Sequence, residues 1–113
     1  MPSTLSKEER LCGKTAVGTL MSKGVWGYCG HFKYCVLRKA DDSPNRILVS
    51  VPKRNFKRAV KRNLLKRRIR EAYRTQKDLV KSRGNDILFF YTAASVEEYG
   101  VIRNDIANIL GQI

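Results

Sequence analysis

The densest group of chemically active side chains lies at residues 53–74, in the segment KRNFKRAVKRNLLKRRIREAYR. Eleven of its 22 residues are Lys or Arg and one, Glu71, is acidic, so the segment carries a net charge of +10. The whole chain carries +13. Guanidinium groups bind phosphate oxygens bidentately, whereas ammonium groups act as point charges. The segment is therefore a candidate site for binding a polyanion.

A helix over residues 59–81, at 100° per residue, divides the basic segment into two faces. One face is a mainly apolar stripe, which we expect to pack on a sheet. Its members are Leu65, Ile69, Ala72, Tyr73, Gln76 and Val80. The opposite face is polar and positively charged, and we call it the cationic ridge. Its members are Asn63, Lys66, Arg67, Arg70 and Arg74.

The composition of the cationic ridge predicts a nucleic acid as its partner. Like charges spaced three or four residues apart on a helix repel one another, so we expect a polyanion outside the chain to compensate them. Asn63 adds a donor and an acceptor that suit sugar hydroxyls or base edges. The ridge chemistry does not decide between RNA and DNA.

The rest of the chain indicates one folded domain over residues 1–113. Hydrophobic residues make up 42% of the sequence, which is too apolar for a disordered polycation and enough for one core. The predicted elements run in the order helix, strands, basic helix, strand, helix. That order indicates an α/β layer arrangement with a mixed sheet.

The N-terminal half contains the first predicted helix and two predicted strands. Ser6 and Glu9 have the spacing of a capping box, which predicts a helix over about residues 7–23. Aromatic and β-branched residues predict a strand over 31–39, and a turn-rich segment separates it from a second strand over 46–51. These two strands are expected to form a hairpin.

The C-terminal half contains one predicted strand and one predicted helix. The almost wholly apolar run at 87–92 is typical of a buried strand. The sequence SVEE at 95–98 is a second capping box and predicts the start of the last helix. The apolar face of that helix is expected to comprise Val101, Ile102, Ile106, Ile109 and Leu110.

The cysteines and the apolar pattern predict a cytoplasmic protein. Cys12, Cys29 and Cys35 are odd in number and include no Cys-x-x-Cys pair, which favours reduced thiols. The N-terminus has no apolar signal core, and no apolar run approaches the ~20 residues of a membrane span.

Two other site chemistries are disfavoured. Cys29, His31 and Cys35 would share a face of an uninterrupted strand, but a structural zinc site generally needs a fourth ligand, which is missing. His31 is the single histidine, and no carboxylate pair or Ser/His/Asp set has a recognisable spacing. A protein-based nuclease or transferase is therefore not predicted, and we expect no catalytic side chains.

The basic segment resembles the signature of the bacterial ribonuclease P protein subunit. That signature is a basic helix with Arg-Asn, Lys-Arg and Arg-Glu pairs, which here are Arg62-Asn63, Lys66-Arg67 and Arg70-Glu71. Lys53-Arg54 and Ala59 precede them as in the family. The likeness extends over almost the whole chain, through LSKEERL, the Gly24 turn, the Phe32 strand and VSVPKR.

The resemblance implies a fold and an activity. The implied fold is a two-layer α/β (α+β) sandwich with a mixed sheet of about four strands, three helices and an unusual left-handed βαβ crossover. General topology rules would instead give a right-handed crossover. The implied activity is removal of the 5′ leader from precursor tRNA by a complex with a catalytic RNA. Mg²⁺ ions bound mainly by that RNA would carry out hydrolysis, and neither a protein partner nor a membrane is implied.

The resemblance also implies roles for individual residues. The residues expected to bind the catalytic RNA are Lys53, Arg54, Lys57, Arg58, Lys61, Arg62, Asn63, Lys66, Arg67, Arg70 and Arg74. The family holds the single-stranded leader in a cleft between the first helix and the sheet. The corresponding candidates here are Phe32, Lys33, Tyr34, Val17 and Met21. Many members have phenylalanines where this chain has Val17 and Met21, and a core role for Phe32 and Tyr34 is an equal alternative.

A ribosomal or general RNA-chaperone protein is the main alternative function. Such a protein would use the same basic helix without any role in RNA processing. Charge and fold class do not separate the two functions. The Arg-Asn, Lys-Arg and Arg-Glu arrangement favours the ribonuclease P subunit.

Overall fold

The computed structural model describes residues 9–11, 13–39 and 43–113, which form three α-helices and four β-strands. The elements are, in chain order, α1 (Lys14–Lys23), β1 (Val25–Cys29), β2 (Phe32–Arg38), β3 (Arg46–Ser50), α2 (Ala59–Arg74), β4 (Asn85–Tyr91) and α3 (Tyr99–Leu110). A short 3₁₀ helix, Lys77–Leu79, follows α2. The predicted α+β fold with a mixed sheet is confirmed. None of the helices in the described ranges has the length and apolar character needed to cross a membrane.

The four strands form one sheet in the order β1-β2-β4-β3. β2 pairs antiparallel with β1 and β4, whereas β3 pairs parallel with β4. The predicted hairpin between 31–39 and 46–51 is therefore wrong, because β4 lies between those strands. The hairpin that forms joins β1 and β2 through Gly30, whose φ of +56° favours glycine. α2 provides the crossover between β3 and β4, and a left-handed crossover remains a prediction.

One face of the sheet packs against α2 and α3 and forms the main core. Ile87, Phe89 and Tyr91 of β4 lie on this face, together with Phe32 of β2. The predicted stripe of the basic helix is confirmed, since all six of its residues are buried. The helix itself ends at Arg74, earlier than predicted, because the chain tightens into the 3₁₀ helix. The Gln76 amide stays in the core by donating to the carbonyls of Ala72 (2.9 Å) and Arg103 (3.0 Å).

The other face of the sheet is partly covered by α1. Leu20 of this helix packs with Cys35 and Leu88 in a second, smaller core. α1 begins at Lys14, later than the predicted start at Lys7, because the preceding segment lies along β3: the Leu11 amide donates to the carbonyl of Ile47 at 2.8 Å. Gly13, with a φ of +95°, turns the chain from this segment into the helix. Ser6 lies outside the described residues.

The second predicted capping box does not form. The Ser95 hydroxyl donates to the Glu97 carboxylate at 2.7 Å and therefore does not cap a backbone amide. α3 begins at Tyr99, preceded by Glu98, which makes no side-chain cap hydrogen bond. Its predicted apolar face is confirmed at four positions, but Val101 is 37% exposed.

Two glycines of the α1 region are expected to respond in opposite ways to substitution by alanine. A Cβ on Gly24 would clash with the Cys35 sulfur and the Leu20 carbonyl oxygen, whereas one on Gly18 would meet nothing within 4 Å. We expect Gly24→Ala to lower the free energy of unfolding by about 1–3 kcal/mol through overpacking. Gly18→Ala, the matched control, should raise it by about 0.5–1 kcal/mol. Urea unfolding measures both, and equal stability of the two variants would contradict this packing of α1 on β2.

Candidate nucleic-acid interface

The cationic ridge lies on the side of α2 that faces away from the core. Asn63, Arg67 and Arg70 are exposed, whereas Lys66 and Arg74 are half-buried. The buried stripe on the opposite side of the helix fixes their orientation, because Leu65 and Ile69 are fully buried. The structure therefore presents these cations at helical spacing on a rigid support, as the pattern predicts.

The ridge residues differ in how far their charge is already compensated. Arg74 forms an ion pair with Glu71, and its Nε donates to the same carboxylate at 2.7 Å. Arg70 has a cationic neighbour in Arg10, and partial burial together with that guanidinium lowers the pKa of Arg70. The pKa of an arginine lies so high that the group stays charged. Arg67 and Arg70 thus offer more uncompensated charge than Arg74.

Arg62 holds the loop that precedes α2. Its Nη1 donates to the carbonyls of Phe56 (2.7 Å) and Lys57 (3.0 Å). Phe56 is buried, with its ring 5.9 Å from that of Tyr91. The loop cations and the first helical lysine are exposed on this anchored segment. They are Lys53, Arg54, Lys57, Arg58 and Lys61.

A second exposed surface lies where α1 leaves the sheet uncovered. The strand pairings Tyr28↔Lys33, Lys33↔Phe90 and Ser50↔Phe90 place four residues in one row across the sheet. We call this row the open row. Tyr28 is exposed and the other three are half-buried. The loop at residues 51–58, between β3 and α2, carries Lys53, Arg54, Lys57 and Arg58, and we call it the basic loop. The chain runs from Ser50 directly into this loop, so the open row leads toward it.

The residues predicted to form a leader cleft are divided between the two faces of the sheet. Phe32 is 1% exposed in the main core, so a stacking role for it is inconsistent with the structure and its alternative core role is confirmed. Tyr34 lies on the same face, and its hydroxyl donates to Gln112 at 2.7 Å. Strand alternation places Lys33 on the opposite face, together with α1. The structure therefore separates Phe32 and Tyr34 from Lys33.

Val17 and Met21 lie on the α1 side with Lys33. Val17 lines a groove between α1 and the sheet together with Leu11 and Leu48. Met21 is 48% exposed. Phe90 is not among the residues predicted for the cleft, although the alternation expected for residues 87–92 would place it on this face, opposite Phe89.

The described residues include no group of three or more His, Cys, Asp or Glu side chains able to hold a metal ion. Cys29, His31 and Cys35 do not share the face of one strand, because a turn at residues 30–31 separates β1 from β2. His31 Nδ1 instead lies 2.8 Å from the Asp105 carboxylate. The Cys35 thiol is buried and donates to the Leu20 carbonyl at 3.3 Å, and burial raises its pKa.

Comparison with known proteins identifies relatives over most of the chain. The family model described as Ribonuclease P matches residues 5–113. The ribonuclease P protein component of Porphyromonas gingivalis strain W83 is 39% identical over 87 residues. That match covers 74% of this chain and 60% of the relative. The chain thus matches about 60% of the length of this curated relative and of its counterpart from strain ATCC 33277.

Solved structures share the fold. The RNase P protein from Thermotoga maritima aligns with a TM-score of 0.80 at 23% identity, covering 93% of this chain and 97% of that one. The RNase P protein from Staphylococcus aureus aligns with a TM-score of 0.79 at 24% identity, covering 92% and 94%. The fold, the basic helix and a family match over residues 5–113 together show that the chain belongs to the ribonuclease P protein family.

Proposed function

We propose that this protein is the RNA-binding subunit of a ribonuclease P, which removes the 5′ leader from precursor tRNA by endonucleolytic cleavage. The observation that carries the proposal is the rigid placement of the cationic ridge. α2 buries one side in the core and presents Asn63, Arg67 and Arg70 on the other. In this proposal the catalytic RNA performs the chemistry, and the protein supplies binding.

The ridge and the basic loop are the proposed contact with the catalytic RNA. Arg67 and Arg70 would bind phosphates bidentately, and Lys66 would add a point charge. Arg62 would act chiefly as a positioning residue, because its guanidinium already holds the carbonyls of Phe56 and Lys57. Arg74 would contribute less charge than its neighbours, because Glu71 compensates it.

The open row and the groove beside α1 are the proposed contact with the single-stranded leader. Phe90 offers a ring on which a base can stack, and Lys33 beside it offers a cation for a phosphate. Val17 and Met21 provide the wall on the α1 side. This assignment replaces Phe32 and Tyr34, which face the main core.

The metal ions of the reaction belong with the RNA in this proposal. Glu71, the acid within the basic segment, is paired with Arg74, so the ridge offers no free carboxylate for a metal. The chemistry supplied by Mg²⁺ held in the RNA would be Lewis-acid catalysis and a lowered pKa of bound water. We also propose a cytoplasmic location, which the free thiols of Cys29 and Cys35 support.

Reconstitution tests the function directly. The protein is combined with a bacterial ribonuclease P RNA and precursor tRNA at low magnesium concentration, where protein contacts should matter most. We expect faster 5′ cleavage than with the RNA alone, measured by gel resolution of leader and mature tRNA. Binding of both RNAs without any gain in cleavage would instead support the general RNA-chaperone function.

Removing one ridge arginine should change the salt dependence of RNA binding. Arg67→Ala is expected to weaken binding of the catalytic RNA and to lower the slope of log K against log salt by about one charge. Arg103→Ala is the matched control, since Arg103 is an exposed arginine on α3 and is not a member of the ridge. Filter binding over a series of salt concentrations measures both, and equal slopes in the two variants would remove Arg67 from the interface.

Substituting two phenylalanines in turn should distinguish an effect on leader binding from an effect on protein stability. Phe90→Ala is expected to lower affinity for leader-bearing precursor several-fold, because stacking on an aromatic ring contributes ~1–3 kcal/mol per base. Affinity for mature tRNA should stay unchanged. Phe32→Ala should instead lower the free energy of unfolding by about 3–5 kcal/mol, because its ring is buried. Affinity for the two ligands and urea unfolding measure these effects. Equal losses for precursor and mature tRNA in Phe90→Ala would contradict the assignment.

A further inference from the structure

The segment that precedes α1 places Arg10 beside α2. Arg10 forms a parallel β-bridge with Ile47, and the Leu11 amide donates to the Ile47 carbonyl at 2.8 Å. Leu11 is buried in the smaller core under α1, so strand alternation directs the Arg10 side chain to the opposite face of the sheet, where α2 packs. Lys77 Nζ donates to the Glu9 carboxylate at 2.9 Å, which fastens the segment to the chain just after α2.

Arg10 and Arg70 form a pair of neighbouring guanidinium groups. Partial burial and, to a smaller extent, the charge of Arg10 lower the pKa of Arg70. An arginine side chain nonetheless stays charged at neutral pH. Within the described ranges neither group forms an ion pair with a carboxylate, whereas Arg74 and Lys77 each do. Two adjacent cations repel each other, so an anion placed between them is attracted by both.

A cavity of about 400 Å³ opens next to this pair. It adjoins the pair because its lining includes Glu9, which precedes Arg10, and Tyr73, which lies one helical turn after Arg70. Cavities that bind small ligands generally measure ~300–1,000 Å³, so this one has room for a single nucleotide. Three of its lining residues are basic and two are acidic. The others include Asn45, Ser82, Pro44 and Val80.

The Tyr73 hydroxyl is a buried donor at this cavity. Tyr73 is 1% exposed, yet it lines the cavity. Burial and, secondarily, the negative charge of Glu9 raise the pKa of Tyr73 to about 12, so the phenol keeps its proton at neutral pH. In the described part of the chain no group accepts this proton, and the Glu9 carboxylate binds Lys77 instead. A buried hydroxyl without a partner is unfavourable, so an acceptor on a ligand would stabilise it.

Two other polar side chains of the cavity also have donors to offer. Asn45 Oδ1 accepts from the backbone amide (2.9 Å) and Nδ2 (3.1 Å) of Asn85, and Asn45 Nδ2 donates to the Ser82 carbonyl at 2.9 Å. Because a side-chain amide has two N–H groups, one remains for a ligand. The Ser82 hydroxyl accepts from Asn85 Nδ2 at 3.0 Å and keeps its own proton to donate. The cavity therefore suits a ligand rich in acceptors, such as the base and ribose of a nucleotide.

We propose that Arg10, Arg70 and the adjoining cavity bind one nucleotide, with its phosphate between the two guanidinium groups and its nucleoside against Tyr73. We call this place the nucleotide site. The two arginines come from different elements, so the phosphate is held from two sides and can be gripped bidentately by each. The Tyr73 hydroxyl donates to an acceptor of the nucleoside, and Pro44 and Val80 contact its apolar parts.

The RNA bound along the cationic ridge is the favoured source of this nucleotide, because Arg70 belongs both to the ridge and to the nucleotide site. This identification rests on the proposed function. A nucleotide turned out of the RNA strand would place its base in the cavity, where contacts to its edge can select it. A nucleoside monophosphate from solution carries the same groups, and the experiments below distinguish the two sources.

A double-mutant cycle tests whether one phosphate is shared. Arg10→Ala and Arg70→Ala should each weaken binding of the catalytic RNA about tenfold, and the double variant should lose little more than either single variant. The matched pair is Arg10→Ala with Arg67→Ala, whose losses should multiply, because Arg67 lines a different concavity, beside Val60. Filter binding measures all variants. Losses that also multiply for Arg10 and Arg70 would show two separate phosphates and overturn the shared grip.

Removing a single oxygen atom tests the cavity. Tyr73→Phe keeps the ring and should weaken binding of the nucleotide about threefold to tenfold, with the salt dependence of RNA binding unchanged. Its unfolding temperature should stay equal or rise, because the lost hydroxyl has no partner in the described part of the chain. A lowered unfolding temperature together with wild-type affinity for every nucleotide and RNA would give Tyr73 a structural role only and overturn the nucleoside contact.

Titration with small probes separates the two sources. The full chain is titrated with the monophosphates of uridine, cytidine, adenosine and guanosine and with inorganic phosphate, followed by calorimetry. We expect at least one monophosphate to bind several-fold more tightly than inorganic phosphate, and Tyr73→Phe to remove that difference. Equal affinity for phosphate and all four monophosphates would overturn the nucleotide site. If a monophosphate binds but Tyr73→Phe leaves RNA affinity unchanged, the nucleotide comes from solution.

The nucleotide site and the proposed function can fail separately. If the protein does not stimulate 5′ cleavage, the monophosphate titration still decides whether the site exists. If cleavage is stimulated, but no monophosphate binds better than phosphate and Arg10→Ala binds the catalytic RNA as the wild type does, the site fails and the ribonuclease P function stands.

Discussion

Strand β4 holds the domain together, because it contributes to the cores on both faces of the sheet and is paired on both sides. Ile87, Phe89 and Tyr91 project into the core beneath α2 and α3, and Leu88 projects into the smaller core beneath α1. Antiparallel pairing with β2 and parallel pairing with β3 satisfy its backbone. The end of this strand is fastened as well, since the Tyr91 hydroxyl donates to the Ser95 carbonyl at 2.7 Å. Both cores and the whole sheet therefore depend on this single strand.

The two proposed RNA-binding surfaces are connected through the same strand. Tyr91 faces the main core, where Phe56 fixes the basic loop against its ring. Phe90, its neighbour, faces the opposite side in the open row. The distance between the ridge and the row is therefore set by the rigid sheet and not by a flexible linker. In the proposed function, this fixed separation would hold a leader bound at the open row at a set distance from an RNA bound at the ridge, which is what positioning a scissile bond beside a separate catalytic RNA requires.

Local sequence patterns predict much of this structure, but they do not predict the pairing of strands that lie far apart in the sequence. The period of α2 identified both its buried stripe and its ridge, because both properties are local to one helix. The insertion of β4 between β2 and β3 joins residues far apart in sequence, and no local feature of 31–51 indicates it. The capping box predicted at 95–98 does not form, because the Ser95 hydroxyl donates to the Glu97 carboxylate and not to a backbone amide. The resemblance implies Phe32 and Tyr34 as candidates for the leader cleft, with a core role as the alternative. Strand alternation does not decide between these roles, because it separates the two faces of a strand but does not say which face α1 covers.

The insertion of α2 between β3 and β4 also bears on how the protein is made. The parallel pairing of β3 with β4 encloses residues 51–84, so the chain must close a long loop before the sheet is complete. During synthesis the basic segment emerges before β4 exists, and its apolar stripe then has no sheet to cover. Until β4 docks, no complete sheet holds the eleven cations of residues 53–74 at fixed positions. The fixed spacing of the cationic ridge therefore depends on β4, the last strand of the sheet to be synthesised.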